Sequence, residues 1–432
     1  MRRSLGFVSP WKIGTGLALL LAVVSRTPAQ TPAPPLPNQP LHLADCLAIS
    51  EERQPSLQVA RARLAAAQTK VAALDNLGGP TALLSHDLPV RRQQARLGVD
   101  IAQADLARLQ VEIRYVVTRA YLSVLYSRSQ RAVLDDLVDD LTFLRNRIKT
   151  AVEKNERPEW TPATVDLITL YVRRAKARRT EADRGVQLSL AALREAMNLA
   201  PLVCLRIADE SIPQPKVKVC REEILAAAVA RRGEAIEAAL ATEAVVLEAD
   251  AQGRSRRQGA RRTFAAGADL HAGHVPQPIY GEDFRPGGIP LAMPTVLVGS
   301  RAARVESAQE YAEQAAAVAQ KTRNLIVLES EEAYFSWEEW SKKVVLYRDA
   351  KDVGLRLSRR LHEEFRGSIK RVIEGVLPES LLAAQARTDY NEALFRQAVA
   401  LAALERVTGG VFCAHLADSA AAKDASAPSG DK

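Results

Sequence analysis

Aromatic residues make up only 5% of this chain of 432 residues, and glycine and proline stand at just 22 each. An alanine-rich chain so poor in aromatics favours helices. Long apolar runs are also missing: beyond the N-terminal segment nothing approaches the length a membrane-spanning helix needs, so entry into a membrane would be by strands or by a surface. Chemistry is scarce as well. No phosphate loop or nucleophile elbow occurs, and His362-Glu363-Glu364-Phe365-Arg366 lacks the second histidine of a zinc helix. His271 and His274, the closest histidine pair, would point to opposite faces of a strand, which favours a loop role over metal binding. No acid, base and nucleophile converge as a secreted hydrolase requires, so neither an enzyme nor a cofactor is expected.

The N-terminus carries Arg2, Arg3 and Lys12 ahead of the apolar stretch Ile13 to Val24, with Thr27-Pro28-Ala29 before Gln30 as a cleavage site. That pattern is an export signal over 1–29, followed by a proline-rich tether over 30–40. The net charge of +8 comes from Lys and Arg dispersed among Asp and Glu, which reads as solvated helix faces and not as a nucleic-acid surface. A denser group, Arg254, Arg256, Arg257, Arg261 and Arg262, stands where a helix ends; it suits the macrodipole first, and anionic headgroups second. Four cysteines remain, without the close spacing of a zinc site. Cys204 with Cys220, and Cys46 with Cys413, are the natural disulfide pairs for an exported chain, with reduced thiols the open alternative.

The organising feature is a duplication. The helical opening from Cys46 to Arg61, interrupted at Pro55, matches Ile224 to Ala239, interrupted at Gly233. A shared Ala-Tyr step follows at Ala120-Tyr121 and Ala333-Tyr334, and Leu190-Ala191-Ala192-Leu193 matches Leu401-Ala402-Ala403-Leu404. Within each half a proline-free stretch, Val90 to about Val152 and Ser300 to about Phe365, predicts a rod of roughly 90 to 100 Å at 1.5 Å per residue. Leu97, Ile101, Ala104, Leu106, Leu109, Ile113 and Val117 form a stripe that must pack against other helices, as in coiled coils. The rods break at Asn155 to Pro162 and at Arg366 to Pro378, and returning helices follow over Ala163 to Asn198 and Glu379 to Thr408, the first capped by Thr161. Tyr121 and Tyr334 are expected at equivalent helix contacts, and Trp337 and Trp340 in packing between helices.

This ordered set resembles the TolC-type outer membrane efflux family: an opening Leu-Ala-Asp-Cys-Leu-Ala-Ile helix, a long helix with Val-x-x-Ala-Tyr-Leu at Val117 to Leu122, a tip and a return, all occurring twice. The stretch Ile289 to Arg301 is similar to the strand that feeds the family's second long helix. The resemblance implies a mainly α fold, two tandem repeats of antiparallel coiled-coil helices forming an α-barrel subunit with a small transmembrane β-hairpin. It also implies a homotrimer in the outer membrane, with a large periplasmic portion. The expected division is a helical repeat over 41–200, a connection over 201–219, and a second repeat over 220–410 with its hairpin segment at 262–300. A disordered tail is expected over 411–432.

Phe264, Ala266, Ala268, Leu270 and Ala272 alternate with smaller or polar residues as a wall between lipid and water would, and Leu291 to Gly299 offers a second crossing. The first half has only Gly78 to Pro89 at the matching place, too short for two crossings. A trimer would then supply six strands, whereas outer membrane barrels start at about eight. Two outcomes stand open: a reduced or differently assembled barrel, or a helical duct that only touches the membrane. The expected function is a passive efflux or export conduit fed by an inner membrane transporter through a periplasmic adaptor. That adaptor would dock at the tips, Glu156, Arg157, Pro158 and Trp160 with Arg366, Gly367 and Ser368. A pore-less periplasmic tethering protein is the alternative.

Overall fold

The computed structural model describes residues 39–78, 85–155, 160–256, 258–267, 293–364 and 377–417. The chain divides into Met1–Gln39 and Pro40–Lys432, and the fold below is that of the second unit. The expected export signal and nearly all of the tether lie outside the described residues.

The first repeat comprises α1 (Leu43–Arg53), α2 (Pro55–Asp75), the rod α3 (Leu88–Glu153) and the return helix α4 (Pro162–Ala196). The second comprises α5 (Arg221–Arg231), α6 (Gly233–Arg254), a two-residue strand β1 (Arg261–Arg262), the single turn α7 (Phe264–Gly267) and strand β2 (Val296–Leu297). It ends with the rod α8 (Arg301–Glu364) and the return helix α9 (Leu377–Val407). With 66 and 64 residues, the rods extend about 99 and 96 Å.

Each rod carries two shorter helices end to end along its length, α2 and α4 on α3, and α6 and α9 on α8. The second pair also packs on α3, so at one end the order across the wall is α2, α3, α6, α8 and at the other α4, α3, α9, α8. Such a one-helix-thick sheet needs apolar residues on more than one side of α3. Val117, Tyr121, Leu122, Val124 and Leu125 are all buried, and at two adjacent positions, as in Val124 and Leu125, one stripe cannot account for both.

The duplication survives in the joints. The α1–α2 break falls at Gln54, before Pro55 at N1, and the α5–α6 break at Arg232. Helix α4 ends with Asn198 at φ +50°, and Leu199 N–H returns to Arg194 O at 2.9 Å; α9 ends with Gly409 at φ +63°, and Gly410 N–H returns to Glu405 O at 2.8 Å. Asn198 Nδ2 then donates to Arg53 O at 2.9 Å, at the end of α1. Gly409 lies against Arg231 O, at the end of α5, so closely that a Cβ there would come within 2.9 Å of it. The same joint is thus held by an amide in one repeat and by a missing side chain in the other.

Several expectations change. Thr161 is the N-cap of α4 but its side chain makes no capping bond; its hydroxyl lies 3.4 Å from that of Thr164. Phe264 to Gly267 are helical instead of the start of an alternating strand. Phe264 N–H donates to the buried Glu248 carboxylate at 3.2 Å and its side chain packs with Val245 and Ala315, and these contacts turn the chain inward. Residues 411–417, assigned to the tail, stay on the core: Ala414 and Leu416 are buried and Ala414 N–H donates to Glu405 at 2.5 Å. Tyr121 and Tyr334 are not equivalent. Tyr121 is buried, with its hydroxyl donating to Asp209 at 2.6 Å beneath the inter-repeat connection, while Tyr334 is half-buried against Phe335 and Trp337. Trp337 and Trp340 pack on the main core, as expected.

Candidate functional site

Three regions of the wall have unusual chemistry. At the tip end, Val138, Leu141, Leu144 and Ile148 of α3 pack with Ile168 and Val172 of α4 and with Leu377, where α9 starts. Trp160 leans on the same cluster. Both return helices therefore begin at the same end of the wall, on either side of α3, and Arg387 reaches from α9 to Asp136 on α3 at 2.6 Å. Of the expected docking residues only Trp160 is described, and it is half-buried; Glu156, Arg157, Pro158, Arg366, Gly367 and Ser368 lie outside the described residues.

At the other end, the two turns between the helices differ. In the first repeat Arg92 donates to the carbonyls of Leu74, Asp75 and Leu77 at 2.9, 3.3 and 3.0 Å, closing the C-terminus of α2 onto α3. In the second repeat β1 and β2 pair antiparallel, Arg261 opposite Leu297 and Arg262 opposite Val296, and form the base of the expected hairpin segment. The residues between, 268–292, including His271 and His274, lie outside the described residues. Under this base is a buried polar knot. Glu248, fully buried, accepts from Arg91, from Gln94 at 3.1 Å and from Gln252 at 2.7 Å, and Gln252 in turn accepts from Arg304 at 2.9 Å.

At mid-length, where α3 passes the ends of α1, α5 and α9, a cavity of about 500 Å³ is lined by Glu51, Arg108, Tyr115, Arg232, Glu405 and Arg406 among others. Beside it Glu329, 2% exposed, is gripped by Arg232 and by Arg406, the latter at 2.6 Å; Arg232 also donates to Glu234 at 3.0 Å. Burial works against the charge on Arg232, yet Glu234 and Glu329 raise its pKa above the ordinary value. The close approach of α6 to α3 depends on Gly233, since a Cβ there would stand 2.7 Å from Arg108 Cβ. None of this was visible in the sequence, where such charges read as solvated faces; the one signal was Arg232 at the interruption shared by both repeats.

Glu237 joins this group through Arg108 Nε at 3.2 Å, with 26% of its side chain exposed. Burial raises its pKa from 4.5 to about 7, against the pull of Arg108. A carboxylate held above its unfolded value favours the folded state while protonated, so that contribution is full below pH 4.5 and is lost as pH rises through 7. We expect wild type to lose at most about 3 kcal/mol of stability between pH 5 and pH 8, read from denaturant unfolding curves, and E237Q to flatten that decline. Parallel pH profiles for the two proteins would contradict this.

The four cysteines are free thiols, so neither expected bridge is present. Cys46 is buried in the core, where burial, then Asp45 and Asp209, push its pKa up to about 12, and a thiol so held is a poor partner for exchange. Cys220 donates to Glu222 at 3.1 Å. Among the described residues no group of His, Cys, Asp and Glu is arranged to hold a metal ion, and no helix is long and apolar enough to cross a membrane.

No family model matches the chain, and no curated protein matches it by sequence. Solved structures do. The outer membrane protein VceC from Vibrio cholerae superposes with a TM-score of 0.64 at 12% identity, over 85% of this chain and 96% of that one. The CmeC outer membrane channel of Campylobacter jejuni gives 0.66 at 9% identity, over 86% of each chain. The open-state MtrE outer membrane channel of Neisseria gonorrhoeae gives 0.56 at 15% identity, over 85% of this chain and 89% of that one.

Proposed function

We propose, for a chain with the fold of TolC-type outer membrane channels, that it is the subunit of an outer membrane efflux or export conduit, built as a homotrimer with most of its length in the periplasm. The observation that carries the proposal is the uncovered margin of the wall. Rod α3 is flanked by its own short helices and by α6 and α9 of the second repeat, whereas α8 has α6 and α9 beside it and no comparable packing with α2 or α4. By the duplication, the missing neighbours of α8 are the α2 and α4 of a next copy. The chemistry agrees. Leu328, Phe335, Leu346, Val353 and Leu357 are exposed at spacings of seven, eleven, seven and four, which keeps them on one side of α8. Leu170 and Leu188, five turns apart on α4, are exposed likewise on the opposite margin.

In this reading the paired tips, 156–160 and 366–368, receive a periplasmic adaptor that connects to an inner membrane transporter, because nothing in the sequence binds nucleotide. A specific observation favours the second reading, a pore-less tether: Arg92 ties the end of α2 to α3 across the short first connection, and if each copy contributes only the second-repeat hairpin, three copies supply six crossings, short of the eight with which such barrels begin. One reconstitution tests both. Stepwise single-channel conductance in planar bilayers, together with adaptor cross-linking that is lost when Gly367 is replaced by a bulky charged residue, is the expected result. Silent bilayers with cross-linking retained would replace the conduit by the tether.

A further inference from the structure

At the base of the hairpin segment the described residues between Asp250 and Glu306 carry Arg254, Arg256, Arg261, Arg262, Arg301 and Arg304 and not one carboxylate. The fold gathers them. The buried Arg304 donates to the carbonyls of Ser255, Gly259 and Gly299 at 3.4, 3.2 and 2.9 Å, and Gly259 N–H donates to Gly299 O at 3.2 Å. The segments bearing Arg256 and Arg301 are thereby tied to one point. The ladder Arg261–Leu297 and Arg262–Val296 adds the remaining two. Arg254 is balanced by Asp250 at 2.9 Å, but Arg256, Arg262 and Arg301 are exposed and have no carboxylate partner among the described residues. The positive field is felt inside: burial first, then Arg261 and Arg301, lower the pKa of Arg304.

Apolar surface lies among these guanidinium groups. Leu297 is buried, which turns Val296 and Val298 outward at 39% and 69% exposure, and Arg262, the cross-strand partner of Val296, shares their side of the ladder. Exposed valines beside arginines that have no carboxylate partner among the described residues suit the boundary of a bilayer, where side chains meet acyl carbon and headgroup phosphate together. Guanidinium binds phosphate in a bidentate fork, and the attraction of an anionic surface adds for each basic residue within a Debye length of it.

We propose that Arg256, Arg262 and Arg301, with Val296 and Val298, form a lipid-binding collar that selects anionic phospholipid headgroups at the membrane face of the hairpin. This rests on the placement of segment 262–300 in the outer membrane and goes beyond it by naming the lipid class. The macrodipole accounts for Arg254 alone, at the end of α6.

Co-flotation of the full-length protein with phosphatidylglycerol-containing and with pure phosphatidylcholine vesicles tests the assignment. Wild type is expected to prefer the anionic vesicles, and to lose that preference in high salt. The triple variant R256Q, R262Q, R301Q is expected to lower the preference by on the order of a hundredfold, and the triple lysine variant to keep most of it, with helicity unchanged in both. Equal binding of wild type to both vesicles, or an unchanged preference in the glutamine variant, would overturn the collar while leaving the membrane placement intact. Flotation with neither vesicle would overturn the placement and the collar together.

Discussion

Replacing Leu346 and Val353 together by aspartate should convert the assembled protein to single chains in detergent without loss of helix. Both side chains are exposed in the single subunit, at 67% and 52%, so the substitutions remove little packing within the chain. In the proposed assembly each would lie under α4 of a neighbour. Burying a Leu or Val there contributes about 1.5–3 kcal/mol, and a buried, unpaired carboxylate adds a cost of several more. Three interfaces multiply the effect. Native mass measurement with circular dichroism decides the matter: an intact trimer in the double variant would mean that the margin of α8 is not the contact surface.

The largest expected effect within a single chain comes from Glu329. It is 2% exposed and held by Arg232 and Arg406, themselves 6% and 10% exposed, while Arg406 also meets Glu112 at 3.5 Å and lies over the Tyr115 ring at 4.9 Å. Glu329→Ala leaves two buried guanidinium groups facing each other, and removal of one partner of such a group costs about 3–5 kcal/mol. The replacement R232M, E234Q, E329L, R406M removes the charges, Glu234 included because Arg232 is its partner, and is expected to stay near wild type, since the desolvation of four ions is relieved at once. Unfolding midpoints of the solubilised protein separate the cases. A Glu329→Ala variant as stable as wild type would show that the charges are already satisfied by water in the neighbouring cavity.

The rods and their returns were readable from the sequence because proline punctuates a long periodic pattern. Val90 to Val152 and Ser300 to Phe365 became Leu88–Glu153 and Arg301–Glu364, and Pro162 and Pro378 fall in the first turns of α4 and α9. The breaks at Pro55 and Gly233 are readable as a proline in one repeat and a glycine in the other, each interrupting a helical pattern. What escaped depends on partners far away in sequence. Arg232, Glu248, Arg304 and Glu329 look like any charge on a helix until a second rod closes over them, and Asp209 becomes the acceptor for Tyr121 only once the inter-repeat connection folds back. The alternation from Phe264 is as compatible with a turn of helix as with a strand, because alanine fits both, and the Glu248 carboxylate decides between them. Of the three candidate regions, the arginines at the hairpin base form a cluster already legible in the sequence, whereas their lack of a carboxylate partner among the described residues depends on Arg304 drawing two segments together.

In the proposed assembly the unlike margins of the wall would also give the contacts a direction. A two-fold pairing would set α8 against α8, bringing like surfaces together where only the short helices are complementary, so copies add front to back. Every partial assembly would then still display an unsatisfied apolar margin at each end, and only the copy that closes onto the first would hide both. Such intermediates would remain adhesive until that moment, which would make completion all-or-none and leave an excess of unclosed subunits prone to open-ended polymers.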